Sequence, residues 1–258
     1  MVLKHRVALN GTQLDSLDNR ILIQSVDEAA GKETITAVSL GGGNGQRVTG
    51  RRRDTLDVTV KFSINSRDMA TRSTILDNVN KWAYGGGTLT LNNRGSKSLT
   101  VELVQAPGGG DQFKWTSEFS LVFRAYTIPY WQDTTATTKT LTQDDEGSDT
   151  ISMPGSTDTI GEATIQNKSG STLNTLSLTV NGYEMEFADL GLANNGYLVI
   201  DHVLVKGNMV KRARIGNTSV LDKLTGADEF ILKPGSNAIS YEAGGDVIVT
   251  VSAKGRYL

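Results

Sequence analysis

Apolar and polar positions alternate strictly from Leu56 to Ile64. Leu56, Val58, Val60, Phe62 and Ile64 are apolar, and Asp57, Thr59, Lys61 and Ser63 stand between them. Successive side chains of a strand point to opposite faces, so this run predicts a strand with one buried face. The period then changes. Ile75, Leu76, Val79, Trp82 and Ala83 recur at helical spacing, with Ser66 where an N-cap belongs and Gly85, Gly86 and Gly87 as a stop. Residues 88–91 begin another strand. This is the one long helix the pattern predicts, near residues 66–83, and a sheet is the available partner for its stripe.

Before that stretch, residues 2–9, 20–26 and 34–40 predict short strands, the last with weak alternation. Residues 41–50 (GGGNGQRVTG) are too glycine-rich to pack and predict a long, mobile hairpin tip. After the helix, Leu99, Val101 and Leu103, then Trp115 to Phe123, predict two more strands. The first domain, residues 1–132, is therefore α+β, with one helix on antiparallel sheets. Residues 133–160 are rich in Thr, Ser, Asp and Gly and read as a linker with one edge strand near Thr138–Leu141.

Beyond it the chain is all strand signals, at 163–167, 173–180, 183–188, 197–201, 203–206, 209–215, 229–232, 237–242 and 246–252. Asn181-Gly182 is the clearest hairpin turn, and Lys206-Gly207-Asn208 and Gly244-Gly245-Asp246 read the same way. So many short strands at regular spacing predict an antiparallel β-sandwich over residues 133–258, and a mainly β fold for the whole chain.

Composition sharpens this picture. Among 258 residues, 28 glycines and only 4 prolines suit many strands joined by tight turns. There is no cysteine, which removes disulfides, thiol nucleophiles and Cys-ligated zinc. No stretch approaches the roughly 20 apolar residues of a membrane span, and no signal peptide is visible, so assembly in the cytoplasm is expected. The formal charge of −2 is unevenly divided: residues 1–132 hold 16 Lys/Arg against 12 Asp/Glu (+4), and residues 133–258 hold 10 against 16 (−6). Neither half is basic enough to predict nucleic-acid binding.

Candidate chemistry is sparse. The only histidines are His5 and His202, and His202 in the strand-like VIDHVLV reads as a half-buried structural imidazole. Asp144-Asp145-Glu146 lacks the ligand periodicity of a calcium loop and reads as a solvated acidic turn. Gly45 to Arg53 has the glycine spacing of a P-loop, but Arg51 and Arg52 replace its Lys and Ser/Thr, and a strand follows where a helix is needed. The run Arg51-Arg52-Arg53 has two readings, a protein interface or a solvated strand edge. No catalytic group, metal site or cofactor site stands out, and the residues predict a structural or binding protein with no enzymatic role.

The order of these features resembles the distal tail proteins of long, non-contractile-tailed bacteriophages. The likeness is carried by Gly50 to Arg53 and LDVTVKFSI, by Arg72 and the helix ending Lys81-Trp82-Ala83, and by YTIPYWQD at 126–133. GYLVIDH at 196–202 and the segment 232–258 extend it over nearly the whole chain. The resemblance implies a ring-forming N-terminal domain and a galectin-like C-terminal domain. It implies a homo-oligomer, usually a hexamer, at the distal end of the virion tail. That ring joins the tail tube protein to a tail-associated lysin or fibre hub and to receptor-binding parts, with DNA passing through its channel without sequence-specific contact. On this reading the glycine-rich hairpin is an inter-subunit arm, and Gly43, Gly45, Arg47, Arg51, Arg52 and Arg53 are the expected subunit-interface residues. The alternative is a carbohydrate-binding module for the host surface, with no Trp after Trp131 to stack on a sugar.

Overall fold

The computed structural model describes residues 5–29, 31–39, 46–107, 116–205 and 208–258. The chain divides into two units, Met1–Trp131 and Gln132–Leu258.

The first unit carries β1 (Val7–Leu9), β2 (Thr12–Gln13), β3 (Ile21–Glu28), β4 (Glu33–Ser39), β5 (Gln46–Arg53), β6 (Leu56–Asn65), α1 (Met69–Ala83), β7 (Gly87–Leu91), β8 (Lys97–Gln105) and β9 (Thr116–Ala125). Its main sheet runs in the order β2-β1-β7-β8-β9-β6-β3, with every pairing antiparallel. β6 lies between β3 and β9, and Val58, Val60, Phe62 and Ile64 on its inner face are fully buried, as the alternation predicts. Phe62 stacks on Phe119 across the β6–β9 ladder, with ring centroids 5.5 Å apart.

The helix begins later than expected. Asp68, not Ser66, is the N-cap, and its carboxylate accepts from the backbone N–H of Ala70 (3.3 Å) and Thr71 (2.9 Å). Ser66 lies two residues before it and accepts from the Asp68 N–H instead. A carboxylate offers two acceptor oxygens to the unpaired N–H groups of the first turn, where Ser would offer one. Ile75, Val79 and Ala83 are buried on the helix's inner face. Trp82 meets Phe123 edge-on at 6.1 Å and donates its indole N–H to Thr12 O (3.0 Å). Two charge clusters tie this unit together. Asp57 on β6 and Arg124 on β9 form a two-pronged pair at 2.6 and 2.7 Å. Glu28 at the end of β3 accepts from Arg94 (2.6 Å) and from the Trp131 indole N–H (2.8 Å).

The chain enters the second unit through β10 (Trp131–Asp133). There follow β11 (Thr137–Thr140), β12 (Asp144–Met153), β13 (Thr159–Ile160), β14 (Glu162–Asn167), β15 (Leu176–Val180), β16 (Tyr183–Phe187), β17 (Tyr197–Val205), β18 (Asn208–Ile215), β19 (Thr218–Ser219), β20 (Leu224–Gly226), β21 (Ile231–Leu232), β22 (Gly235–Ala253) and β23 (Arg256–Tyr257). The pairings among β11 to β22 are all antiparallel, and β22 is their spine. On one side it pairs with β15 through its first half and with β14 through its second. β12 and β11 also pair with it in succession. β16 and β20 extend the sheet from β15, and β17, β18 and β19 extend it from β14. The sheet thus forks, and among the described residues it packs one core of 25 buried residues, including Ile165, Leu178, Phe230 and Val249.

Two sequence expectations are corrected here. Most of the segment read as a linker is sheet: β11 and β12 run along almost the whole of β22. Only Ile151 and Met153 of β12 are buried, so backbone pairing holds this strand and no apolar face announces it. Gly244-Gly245-Asp246 is no hairpin turn, since β22 runs straight through it. A Cβ on Gly244 would come within 2.7 Å of Thr175 Oγ1, and one on Gly245 within 2.7 Å of the Ser169 Cβ. The glycines make room for the 168–175 loop where the sheet forks. Buried Asn167 orders that loop, donating to Ser171 O (2.8 Å) and Leu192 O (2.7 Å) and accepting from Ser169 N (2.9 Å).

Candidate assembly surface

Among the described residues, β4 and β5 form a two-stranded sheet of their own that joins no other strand. Part of the stretch expected to be a hairpin tip is therefore ordered strand: residues 46–50 belong to β5, while Gly43 and Gly45 lie outside the described residues. Glu33 pairs with Arg53, Thr34 with Arg52, Ile35 with Arg51 and Thr36 with Gly50. A bulge follows, and Ala37 then pairs with Val48 and Val38 with Arg47. The bulge is stitched by Thr49, whose hydroxyl donates to Thr36 O (3.2 Å). At the base, Asp54 N–H donates to Lys32 O (2.8 Å) and Thr34 Oγ1 to Asp54 Oδ2 (3.3 Å).

Among the described residues, this ribbon carries apolar side chains that stay about half exposed. Ile35 is 51% exposed, Val38 56% and Val48 49%. Ile35 and Val48 fall on one face and Val38 on the other, by strand alternation and cross-strand register. A two-stranded ribbon in water is marginally stable at best. Single exposed apolar residues are ordinary, but three spread over both faces of an isolated ribbon suit burial between partners.

The sequence-predicted residues separate on this scaffold. Arg47 is exposed beside Val38. Arg51 and Arg52 lie in β5 opposite Ile35 and Thr34. Arg53 is half-buried, its guanidinium 5.0 Å from the Tyr130 ring centroid, and it fills the space a side chain on Gly31 would need. Sequence reasoning missed Ile35, Val38 and Val48. For Ile35 and Val38 the signal was the weak alternation of TITAVS, which is what a ribbon with no buried face produces, and Val48 sat within the glycine-rich stretch.

The remaining candidates are soon placed. Among the described residues no group of three or more acidic or histidine side chains is placed to hold a metal. No helix among them is long and apolar enough to cross a membrane. Asp144-Asp145-Glu146 opens β12 as exposed strand, where the sequence suggested a turn. An open cleft on the second unit is lined by Ser177, Glu186, Phe187, Thr225 and Glu242. Its one aromatic, Phe187, belongs to the buried core, so the cleft offers no exposed ring for a sugar face.

No family model matches the sequence, and no curated protein matches it. Among solved structures, a chain of the phage p2 baseplate in its activated conformation with Sr is 9% identical, with a TM-score of 0.47 over 98% of this chain and 99% of that one. The p2 baseplate in its activated conformation with Ca gives 11% identity and a TM-score of 0.49 over the full length of both chains. The crystal structure of the SPP1 Dit protein, presented as a paradigm of the hub adsorption apparatus in phages infecting Gram-positive bacteria, is 14% identical, with a TM-score of 0.67. That likeness covers 97% of this chain and 98% of the SPP1 protein, so this chain has the fold of SPP1 Dit from end to end.

Proposed function

We propose that this protein is a structural component of a phage tail tip, forming a homo-oligomeric ring at the distal end of the tail. The observation that carries this reading is the fold shared with SPP1 Dit over almost the whole of both chains. The uncovered β4–β5 ribbon supports self-association. It offers apolar side chains and Arg47, with Arg51 and Arg52 in the same strand, to a neighbouring copy. The first unit builds a ring, expected to be hexameric, whose channel passes DNA without reading its sequence. The tail tube protein docks above, and a tail-associated lysin or fibre hub and receptor-binding parts dock below or outside. The protein is made in the host cytoplasm, works in the virion and is not an enzyme.

Negative-stain electron microscopy of the purified protein tests this directly. Rings with a central hole are expected, with light scattering giving an integral multiple of the chain mass. A monomer at every concentration examined, with no ring in the images, would sink the proposal.

A further inference from the structure

His202 lies on β17 directly opposite Lys211 on β18. Its side chain is only 4% exposed, and neither ring nitrogen has a hydrogen-bond partner among the described residues. Facing it across the corner is the segment 227–230, which joins β20 to β21. Glu229 Oε2 is 3.7 Å from His202 Nε2 and 3.5 Å from Lys211 Nζ, and Lys211 also pairs with Asp228 at 2.7 Å. The segment is pinned at both ends. Ala227 N–H donates to Glu184 O (2.7 Å), and Phe230 O accepts from Gly161 N–H (3.1 Å) while its ring is fully buried over Gly161.

We propose that this corner is an acid-operated clasp, in which the neutral imidazole of His202 allows segment 227–230 to close on β17 and β18, and a proton on that ring loosens it. A charge on a buried ring with no hydrogen-bond partner is costly unless a counter-charge is free to meet it. The charged groups that bear on the ring are Glu229 and Asp228 from the segment, Lys211 from β18, Glu162 from β14 and, from the opposite face of its own strand, Asp201. Glu229 is the one in reach, and Lys211 already shares it. Asp201 is engaged by Arg212 (2.6 Å) and Arg214 (3.4 Å).

Burial therefore dominates and holds the imidazole below the ordinary histidine range. Glu229 and Glu162 oppose the shift, Lys211 adds to it and Asp201 opposes it. The sign follows from linkage. With the closed-state affinity for the proton lowered, the open state binds more protons as pH falls below about 6.5, so closure weakens on acidification.

Two measurements on the full-length wild-type protein test this. In an NMR titration of the two histidine resonances, assigned with His5→Gln, His202 is expected to titrate below the ordinary histidine value. In hydrogen exchange at pH 7.5 and 5.5, corrected for intrinsic rates, amides of β17, β18 and 227–232 are expected to lose protection relative to β12 and β22. The limiting loss is about tenfold for each unit by which the imidazole is depressed. His202→Phe should abolish the pH dependence, and Glu229→Gln, which leaves the core untouched, should lower the His202 titration further. Titration of His202 at or above the ordinary value, uniform loss of protection over both sheets, or a wild-type change that persists in His202→Phe would each overturn the proposal.

Discussion

If the β4–β5 ribbon is buried between copies, replacing its apolar side chains should weaken assembly and leave the monomer intact. The variant is Ile35→Thr/Val38→Thr/Val48→Thr. Threonine keeps the β-branch that strands favour, so the ribbon itself should still form. Because these positions are about half exposed in the free chain, each substitution should change monomer stability by no more than about 0.5 kcal/mol. Covering such a side chain completely is worth about 1.5–3 kcal/mol relative to full exposure. The half still exposed is then worth roughly 1 kcal/mol each, or about 3 kcal/mol for the three. At 1.4 kcal/mol per decade, the concentration for half-assembly should rise about a hundredfold. Sedimentation velocity over a concentration series reads this, with circular dichroism and thermal unfolding as controls. A well-folded triple variant that assembles at the wild-type concentration would refute burial of the ribbon, and the role given to it would fall with it.

Other outcomes follow from single contacts. Gly147→Ala would place a Cβ 2.7 Å from the Tyr241 ring, which is buried and donates its hydroxyl to Thr142 O (3.0 Å). Overpacking of this kind should cost about 1–3 kcal/mol, read from the urea midpoint. Trp131→Phe keeps most of the packing but removes the N–H donor to Glu28 Oε2 (2.8 Å), and should cost about 1–2 kcal/mol in the same assay. The hydrogen bonds from Arg124 hold the Asp57 carboxyl below its ordinary range, with burial opposing and the Arg124 charge adding to them. A lowered folded-state value contributes stability at neutral pH that is lost as pH falls below about 4. Asp57→Asn should therefore flatten the acid limb of the stability profile, and an unchanged limb would contradict this.

The elements read correctly from the chain are those whose burial repeats at a short period. β6 alternates over nine residues because one of its faces is core, and α1 shows its stripe because it too has one buried side. β12 gave no such signal. Seven of its ten residues face solvent, and its hold on the fold is the hydrogen-bond ladder to β22, which any backbone could supply. The candidate surface was half legible. The arginine run drew attention to β5, but Ile35, Val38 and Val48 become unusual only once the ribbon is seen to join no other strand.

Glycine carried an ambiguity that local reading could not resolve. A pair such as Gly244-Gly245 marks either a turn or a place where another chain segment comes close, and here Thr175 and Ser169 occupy the space. His202 shows the same division. Its place in a strand was plain, but its burial without a hydrogen-bond partner depends on Lys211 and Glu229, which are brought to it from β18 and the 227–230 segment. By itself the sequence determined the mainly β class, the helix α1 and the strict strand β6, because those follow from side-chain periodicity along one element. Tertiary structure alone decided which strand edge is paired, which apolar face stays uncovered and which buried group lacks a partner. These are properties of segments far apart in the chain, and no local period encodes them.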